Sequence, residues 1–431
     1  MKEYMFQFPE VSLSEEHVIA TYYLESGTSD PIKYALALAD EQTTGTWVEV
    51  PGETDLVKKE FGGKVLNVFE VPDYEFELPK GTELRRYILQ IGFPSHNFGP
   101  EIPMMFSAVI GNLVSTGNIK LLDLTFPKSL VEGYKGPKFG IEGLRKLMNI
   151  PERPFLNNMI KPCTGWLPDD GAKMSYEVAK GGVDVIKDDE LIKANPPWCP
   201  LEERVKKIMA AIKRAKEETG EDTLYTVNIT DKINKLKDNA LRAIEAGANA
   251  LMINTYTIGL AASHMICEDP DINVPILAHL DFAGATFASP EHGISSPLLV
   301  GKLARMIGAD MAIIATPYGK FPVLHNKYRQ QVNYCRQAFW HIKPMLPLCS
   351  GGATALIAPQ TIEELGYDIA LAAGGAIHGH PMGSEAGAKS MRQAIDATMK
   401  GIPLEEYAKD HVELAEAIKK WGRGTLFDLQ K

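Results

Sequence analysis

Eight short apolar runs, spread through the last two thirds of the chain, constrain its fold more than any other feature. They are PFLNNMIKP, VDVIKDDE, LYTVNIT, ALMINTY, PILAHLD, MAIIATP, PMLPLCSGG and IALAAGGAIHGHP, beginning near residues 154, 183, 224, 250, 275, 311, 344 and 369. Amphipathic stretches such as LEERVKKIMAAIKRAKEETG (201–220) and KDNALRAIEAGA (237–248) lie between them. Runs that are apolar on both faces and alternate with helices indicate parallel strands buried on both sides. Eight such units predict a (β/α)8 barrel rather than a doubly wound sheet. The segments AGAKSMRQAIDATMK and LEEYAKDHVELAEAIKKWG read as helices packed outside the barrel.

The chain ahead of the barrel has a different pattern. VIATYYLES (18–26) alternates like a half-buried strand, and DPIKYALALADEQ (30–42) has helical spacing behind an Asp cap and a proline. KVLNVFEV (64–71) and RRYILQIGFP (85–94) read as strands and IPMMFSAVIGNLVS (102–115) as a second helix. The order strand, helix, strand, strand, helix, strand predicts a small α+β domain of ferredoxin-like type. The expected division is an N-terminal domain at 1–143 and a barrel with C-terminal helices at 144–431.

Composition narrows the class. With 431 residues and 23% charged residues, the chain is neither disordered nor dependent on disulfide staples. A formal net charge of -10 opposes general binding to nucleic acid or to an anionic membrane. No apolar run approaches the ~20 residues of a spanning helix, and MKEYMFQFPEVSLSEEHV lacks a signal peptide's apolar segment. The five cysteines (163, 199, 267, 335 and 349) show no C-x-x-C spacing and read as reduced thiols of a cytoplasmic protein.

Barrel enzymes carry their chemistry at the C-terminal strand ends. There stand Lys161 on the first strand, Lys187, Asp188, Asp189 and Glu190 on the second, and Asn228 on the third. His279 and Asp281 close the fifth and Thr316 the sixth. Ser350, Gly351 and Gly352 close the seventh, and Gly374 and Gly375 the eighth. Lys187 and Asp189 face the same way along a strand, with Glu190 next in the loop. This cluster is either a structural ion pair or a site for a hard cation such as Mg2+, which takes oxygen ligands. An ammonium cannot be a ligand; Lys187 would serve only as the anionic carbamate formed with CO2. The two glycine pairs follow the strands where barrels often bind phosphate through backbone N–H groups. His378 and His380 read as structural.

KPCTG, GGVDVIKDDE, SGG and GGAIHGHP, at the first, second, seventh and eighth strands, resemble the ribulose-bisphosphate carboxylase/oxygenase (RuBisCO) large chain. EQTTGTW (41–47), IGN (110–112) and GPKFGIEGLR (136–145) extend the likeness over nearly the whole chain. The resemblance implies that Lys187 is carbamylated and holds Mg2+ together with Asp189 and Glu190. It implies that Lys161 moves protons at the enediolate and that His279 is an active-site histidine. Thr46, Trp47, Gly352, Gly374 and Gly375, with Gly351 and Ser350 nearby, would bind one phosphate. Glu41 and Asn112 would reach into a neighbouring subunit's barrel, so at least a homodimer is implied.

Departures from that pattern direct the functional expectation. Cys163 replaces a second lysine, Leu280 an arginine and Ser296 a histidine; the last two hold the second phosphate in the carboxylase. Losing those groups costs an anion site charge-assisted hydrogen bonds of about 1.5–3 kcal/mol each. A monophosphorylated substrate is therefore expected. Lys320 in TPYGKFP stands where the carboxylase has a loop lysine. The combination is similar to the RuBisCO-like proteins, and AHLDFAGATFASPEHGISSPLLVGKL (278–303) to their methionine-salvage branch. Asn112, where the salvage enolase carries a lysine base, leads to the expectation of a 5-methylthioribulose-1-phosphate isomerase, with proton transfer by Lys161 and Cys163 or His279. The alternatives are a 2,3-diketo-5-methylthiopentyl-1-phosphate enolase and a decarboxylase of a phosphorylated oxo-sugar acid. A carboxylase or a non-catalytic metabolite-binding protein ranks below these.

Overall fold

The computed structural model describes residues 5–27, 30–48 and 50–422, so the first four residues of the opening MKEY stretch lie outside it. The chain sorts into two compact units, residues 1–135 with 282–299, and residues 136–281 with 300–431.

The first unit is built on a five-stranded mixed sheet. Its strands are β1 (His17–Ser26), β2 (Lys64–Glu70), β3 (Arg85–Pro94) and β4 (Asn118–Thr125), with a two-residue strand, Gly293–Ile294, from the later segment. The latter becomes β10 in chain order. The strand order is β10-β4-β1-β3-β2; β1 runs antiparallel to β3 and β4, and β10 parallel to β4. Helix Pro31–Glu41 starts as its sequence dictates. Asp30 accepts from the N–H groups of Ile32 and Lys33, and Pro31 occupies the first turn, where no N–H is needed. Buried Lys120 on β4 donates to the carbonyls of Phe287 and Ser289, which fastens the 282–299 segment beside the sheet.

The second unit is a closed barrel of eight parallel strands. They are β5 (Phe155–Met159), β6 (Val185–Lys187), β7 (Leu224–Asn228), β8 (Ala250–Asn254), β9 (Ile276–His279), β11 (Met311–Ala315), β12 (Leu346–Ser350) and β13 (Ala370–Ala373). Neighbours pair in parallel around the ring, and β13 closes on β5. Residues two apart fill the interior, such as Met311 and Ile313, Leu346 and Leu348, and Ala370 and Ala372. Each large apolar side chain so buried stabilises the fold by about 1.5–3 kcal/mol. Their neighbours Leu156, Ile186 and Ile314 are buried as well, which explains why no strand shows polar alternation.

Helix Gly140–Met148 closes the N-terminal end of the barrel by adding Ile141, Leu144 and Met148 to the same core. Asp310, just ahead of β11, accepts the N–H groups of Phe139 (2.7 Å), Gly140 (2.9 Å) and Ile276 (3.0 Å). With the bottom plugged, the polar strand ends gather at the opposite mouth. All five cysteines are free thiols, four of them buried and Cys163 half-buried. No helix among the described residues is long and apolar enough to cross a membrane. Asp310→Ala leaves three buried donors without an acceptor. It should lower the unfolding free energy by about 3 kcal/mol or more in urea denaturation.

Candidate active site

Strand β6 ends at Lys187, and the three residues that follow are all acids. Lys187 is only 1% exposed; its Nζ donates to the Asp188 carbonyl (2.7 Å) and to Glu190 Oε2 (3.1 Å). Asp188 is engaged by the outer layer, where Tyr225 Oη donates to Oδ1 (2.6 Å) and the Asn228 N–H to Oδ2 (2.9 Å). Arg204, from helix Leu201–Thr219, stands 3.3 Å from the same Oδ2, and neither ion-pair partner is exposed. Burial disfavours the Arg204 charge, but the Asp188 carboxylate outweighs it and holds the guanidinium protonated. Burial and the same carboxylate push the Tyr225 hydroxyl well above its ordinary range.

Lys161, two residues past β5, donates to Asp189 Oδ2 (2.5 Å) and to Cys163 Sγ (3.0 Å). Burial works against its charge, but Asp189 and then Cys163 outweigh it, so the lysine is held above its ordinary pKa. A lysine acting as a base near neutrality needs the opposite shift. The Asp189 ion pair reverses the direction.

His279 bridges the cluster. Its Nε2 lies 3.2 Å from Glu190 Oε2, and its Nδ1 accepts the Asp281 N–H (3.2 Å) with Asp281 Oδ1 at 2.9 Å. Burial raises the Glu190 carboxyl, but His279 and then Lys187 override it and hold the group far below the usual carboxylate range. Lys161 and Lys187 against Asp189 and Glu190 make a formally neutral set. In this form the set offers no excess negative charge to a cation. Among the described residues no three or more His, Cys, Asp or Glu side chains form a metal-binding group.

The glycine pairs serve close approach. Gly352 has φ +98°, and a Cβ there would stand 2.8 Å from the Lys320 amide nitrogen; the Lys320 N–H donates to the Gly351 carbonyl (2.7 Å). The loop after β11 thus rests backbone-to-backbone on the end of β12, while the Lys320 ammonium lies over the Phe321 ring, 5.2 Å from its centroid. Ser350, at the end of β12, is buried and accepts the Thr316 N–H (2.8 Å). At the end of β13, a Cβ on Gly374 would meet the Met159 carbonyl at 3.0 Å and Lys161 Cε at 3.1 Å, so glycine leaves Lys161 its path. Gly375 opens the short helix Gly375–His378.

Glu41, Thr46, Trp47 and Asn112 belong to the first unit, and all four are exposed, Trp47 at 86%. Gln42 Nε2 donates to the Ala108 carbonyl (2.9 Å), which puts Glu41 and Asn112 at the same end of the unit's two longer helices. Leu280 packs on the apolar barrel core, and Ser296 is buried in the first unit. His380 accepts the Met382 N–H at Nδ1 (3.1 Å), and its Nε2 lies 3.0 Å from the Glu413 carbonyl of the C-terminal helix Val412–Trp421.

Some contributing residues were not singled out by sequence. Asn254 ends β8, donates to the Glu190 carbonyl (3.0 Å), and has a buried Oδ1 without a hydrogen-bond partner. The strand-end rule, applied to the fourth strand, would have found it. Arg204 sits in an amphipathic helix and reads as surface charge. His378, read from the sequence as structural, contacts Asn158 Oδ1 (3.2 Å) through Nε2 beside Lys161.

Residues 140–421 match the ribulose bisphosphate carboxylase large chain catalytic domain, and residues 6–130 match its N-terminal domain. A ribulose bisphosphate carboxylase-like protein of Archaeoglobus fulgidus is 47% identical, over 96% of this chain and 97% of its own length. The 2,3-diketo-5-methylthiopentyl-1-phosphate enolase of Bacillus cytotoxicus is 37% identical, over 94% and 97%. Among solved structures, a rubisco-like protein (MtnW) from Alicyclobacillus acidocaldarius superposes with a TM-score of 0.86 at 33% identity, covering 94% of this chain and 100% of that one. The octameric carboxylase of Pyrococcus horikoshii gives 0.87 at 31%, covering 98% of each chain. An eight-stranded parallel barrel with lysines and acids at its strand ends, preceded in sequence by a small mixed-sheet domain, is the RuBisCO large-chain architecture. The chain belongs to that family, as a RuBisCO-like (form IV) enzyme with methionine-salvage enolases among its homologues.

Two measurements test this geometry. Gly374→Ala should displace Lys161; a loss of turnover of about tenfold with little change in melting temperature is the outcome that would mark Lys161 as a reacting group. The His378 imidazole is held down to about 4, by burial first and by Lys161 second. Because the unfolded chain binds that proton more readily, the contribution is complete above about pH 6.5. It is lost as pH falls from there to about 4. Stability measured over this range should therefore fall less steeply in His378→Asn than in the parent.

Proposed function

We propose that this chain is a Mg2+-dependent enolase acting on a monophosphorylated methylthio-ketose of the 2,3-diketo-5-methylthiopentyl-1-phosphate class. The observation that carries the reading is the Lys161, Lys187, Asp189, Glu190 and His279 cluster at the mouth of a barrel whose relatives include enolases of that name. Those relatives favour the enolase over the isomerase expected from Asn112. The isomerase of 5-methylthioribulose-1-phosphate stays as the second reading on that same residue. Decarboxylation of a phosphorylated oxo-sugar acid would use a similar enediolate. Bisphosphate carboxylation is disfavoured by Leu280, an apolar side chain on the barrel core where an anion grip is needed.

The residues fit a divalent cation on one condition. Carbamylation of Lys187 by CO2 turns a formal +1 into -1, which takes the neutral four-residue set to -2 and adds an oxygen donor beside Asp189 and Glu190. Mg2+ held by these three groups would supply Lewis-acid polarisation of the substrate carbonyl. Lys161 takes the proton from the carbon next to that carbonyl and a proton returns to the oxygen, giving the enol. It can do so only once Asp189 Oδ2 has another partner, because that carboxylate holds its ammonium. Cys163, 3.0 Å from the Lys161 nitrogen, or His279, against Glu190, would pass the proton on. Ser350, Gly351, Gly352, Gly374 and Gly375, with Thr46 and Trp47, would bind the single phosphate, and Lys320 would approach it from the loop after β11. Glu41 and Asn112 would complete the barrel of a neighbouring subunit, in a homodimer or larger homo-oligomer; among the structural relatives one carboxylase is dimeric and another octameric.

The test is incubation in deuterated water with Mg2+ and bicarbonate, followed by 1H and 31P NMR, with the diketone phosphate and 5-methylthioribulose-1-phosphate supplied separately. Conversion of the diketone supports the enolase; conversion of only the second substrate assigns the isomerase; no exchange in either overturns both. Lys187→Ala should lower turnover by about three orders of magnitude, the scale of a lost Lewis acid. Full activity in that variant would sink the carbamate.

A further inference from the structure

Asp188 and Asp189 are chemically identical neighbours, yet one serves the barrel mouth and the other the helix layer. A slip of one residue would exchange their faces and carry Lys187 and Glu190 to the wrong sides. Apolar burial cannot prevent that slip, because neither aspartate is apolar. The discrimination must come from what each carboxylate finds.

We propose that Arg204, acting through Asp188 and Tyr225, is the positioning residue that fixes the facing of the Asp189–Glu190 segment and so sets the affinity of the barrel mouth for a divalent cation. This rests on the metal reading above. Both Asp188 oxygens are occupied on the helix side, Oδ1 by the Tyr225 hydroxyl and Oδ2 by the Asn228 N–H and Arg204. The Arg204 guanidinium, 0% exposed, also donates to the carbonyls of Ala194 (3.2 Å), Cys199 (3.4 Å) and Asn228 (3.5 Å). One side chain thus grips the 188–199 segment at its start, its middle and its end. Asn228 and Asn254 hold it at the mouth, both donating to the Glu190 carbonyl, and Asn228 also to Ile192.

Stability alone does not call for such a pair, since well-packed apolar residues of similar volume often stabilise as much as a buried ion pair. What the charged pair adds is direction. A segment rotated away from Arg204 would bury an uncompensated carboxylate on one side and a guanidinium on the other.

Tyr225→Phe removes one hydrogen bond and no charge, Arg204→Lys keeps the charge without the planar fork, and Arg204→Met removes both. The full-length proteins are compared by Mg2+ titration calorimetry at saturating bicarbonate, by amide hydrogen exchange across 188–199 and by thermal midpoint. Tyr225→Phe should keep its midpoint within a few degrees and lose about tenfold in Mg2+ affinity, the scale seen when groups behind metal ligands are removed. Exchange should quicken in 188–199 and nowhere else, and Arg204→Lys should fall between the parent and Arg204→Met. Wild-type exchange across 188–199 in folded Tyr225→Phe and Arg204→Lys would overturn the proposal. So would acceleration spread evenly over the chain, which marks a general structural role. If the parent takes up no Mg2+, the metal reading fails on its own, and the exchange comparison still decides whether Arg204 fixes the segment.

Discussion

Two lysines and two carboxylates share the mouth of the barrel, and each holds another in place. Lys187 is tied to Glu190 and Lys161 to Asp189, each pair joining one buried side chain to one that is partly exposed. The rest of the architecture keeps this set together. Parallel strands buried on both faces leave only their ends for polar residues, and the plug of Ile141, Leu144 and Met148 leaves only one end of the barrel open. The small glycines at Gly352 and Gly374 then let backbone and Lys161 pass where a methyl group would intrude.

Under the proposed carbamylation, a single chemical event would take the charge balance at the mouth from neutral to negative. In the described form the four charges cancel, and ion pairs occupy the carboxylates that a cation would need. Conversion of the Lys187 amine to an acid derivative alters two charges at once. On that proposal, readiness would depend on a dissolved gas as well as on a metal, the two coupled through one nitrogen.

Much of the architecture was legible because its physics is periodic. RRYILQIGFP is β3 from first residue to last, and each of the eight apolar runs holds one barrel strand. Elements without a period stayed hidden, such as the short helices Pro9–Ser14 and Asp55–Phe61 and the two-residue strand Gly293–Ile294. At the site, Lys187, Asp189 and Glu190 stand out as a run of like residues at a strand end. Arg204 does not, because its burial comes from a partner contributed by another element. The partner that holds the Lys161 ammonium is hidden for the same reason: it is Asp189, 28 positions away in sequence. The choice between enolase and isomerase was not legible because both are proton transfers beside a carbonyl, and differ in where the proton returns.

The small sheet is not finished by the residues that begin it. Its β10 edge is supplied by residues 293 and 294, and Lys120 on β4 finds its carbonyl partners at Phe287 and Ser289. A ribosome delivers these only after five strands of the barrel have been made. The N-terminal unit therefore cannot complete itself first, as the leading part of a chain commonly does during synthesis. The two units are threaded through one another in time, and a gene cut at residue 135 would separate a sheet from its own edge.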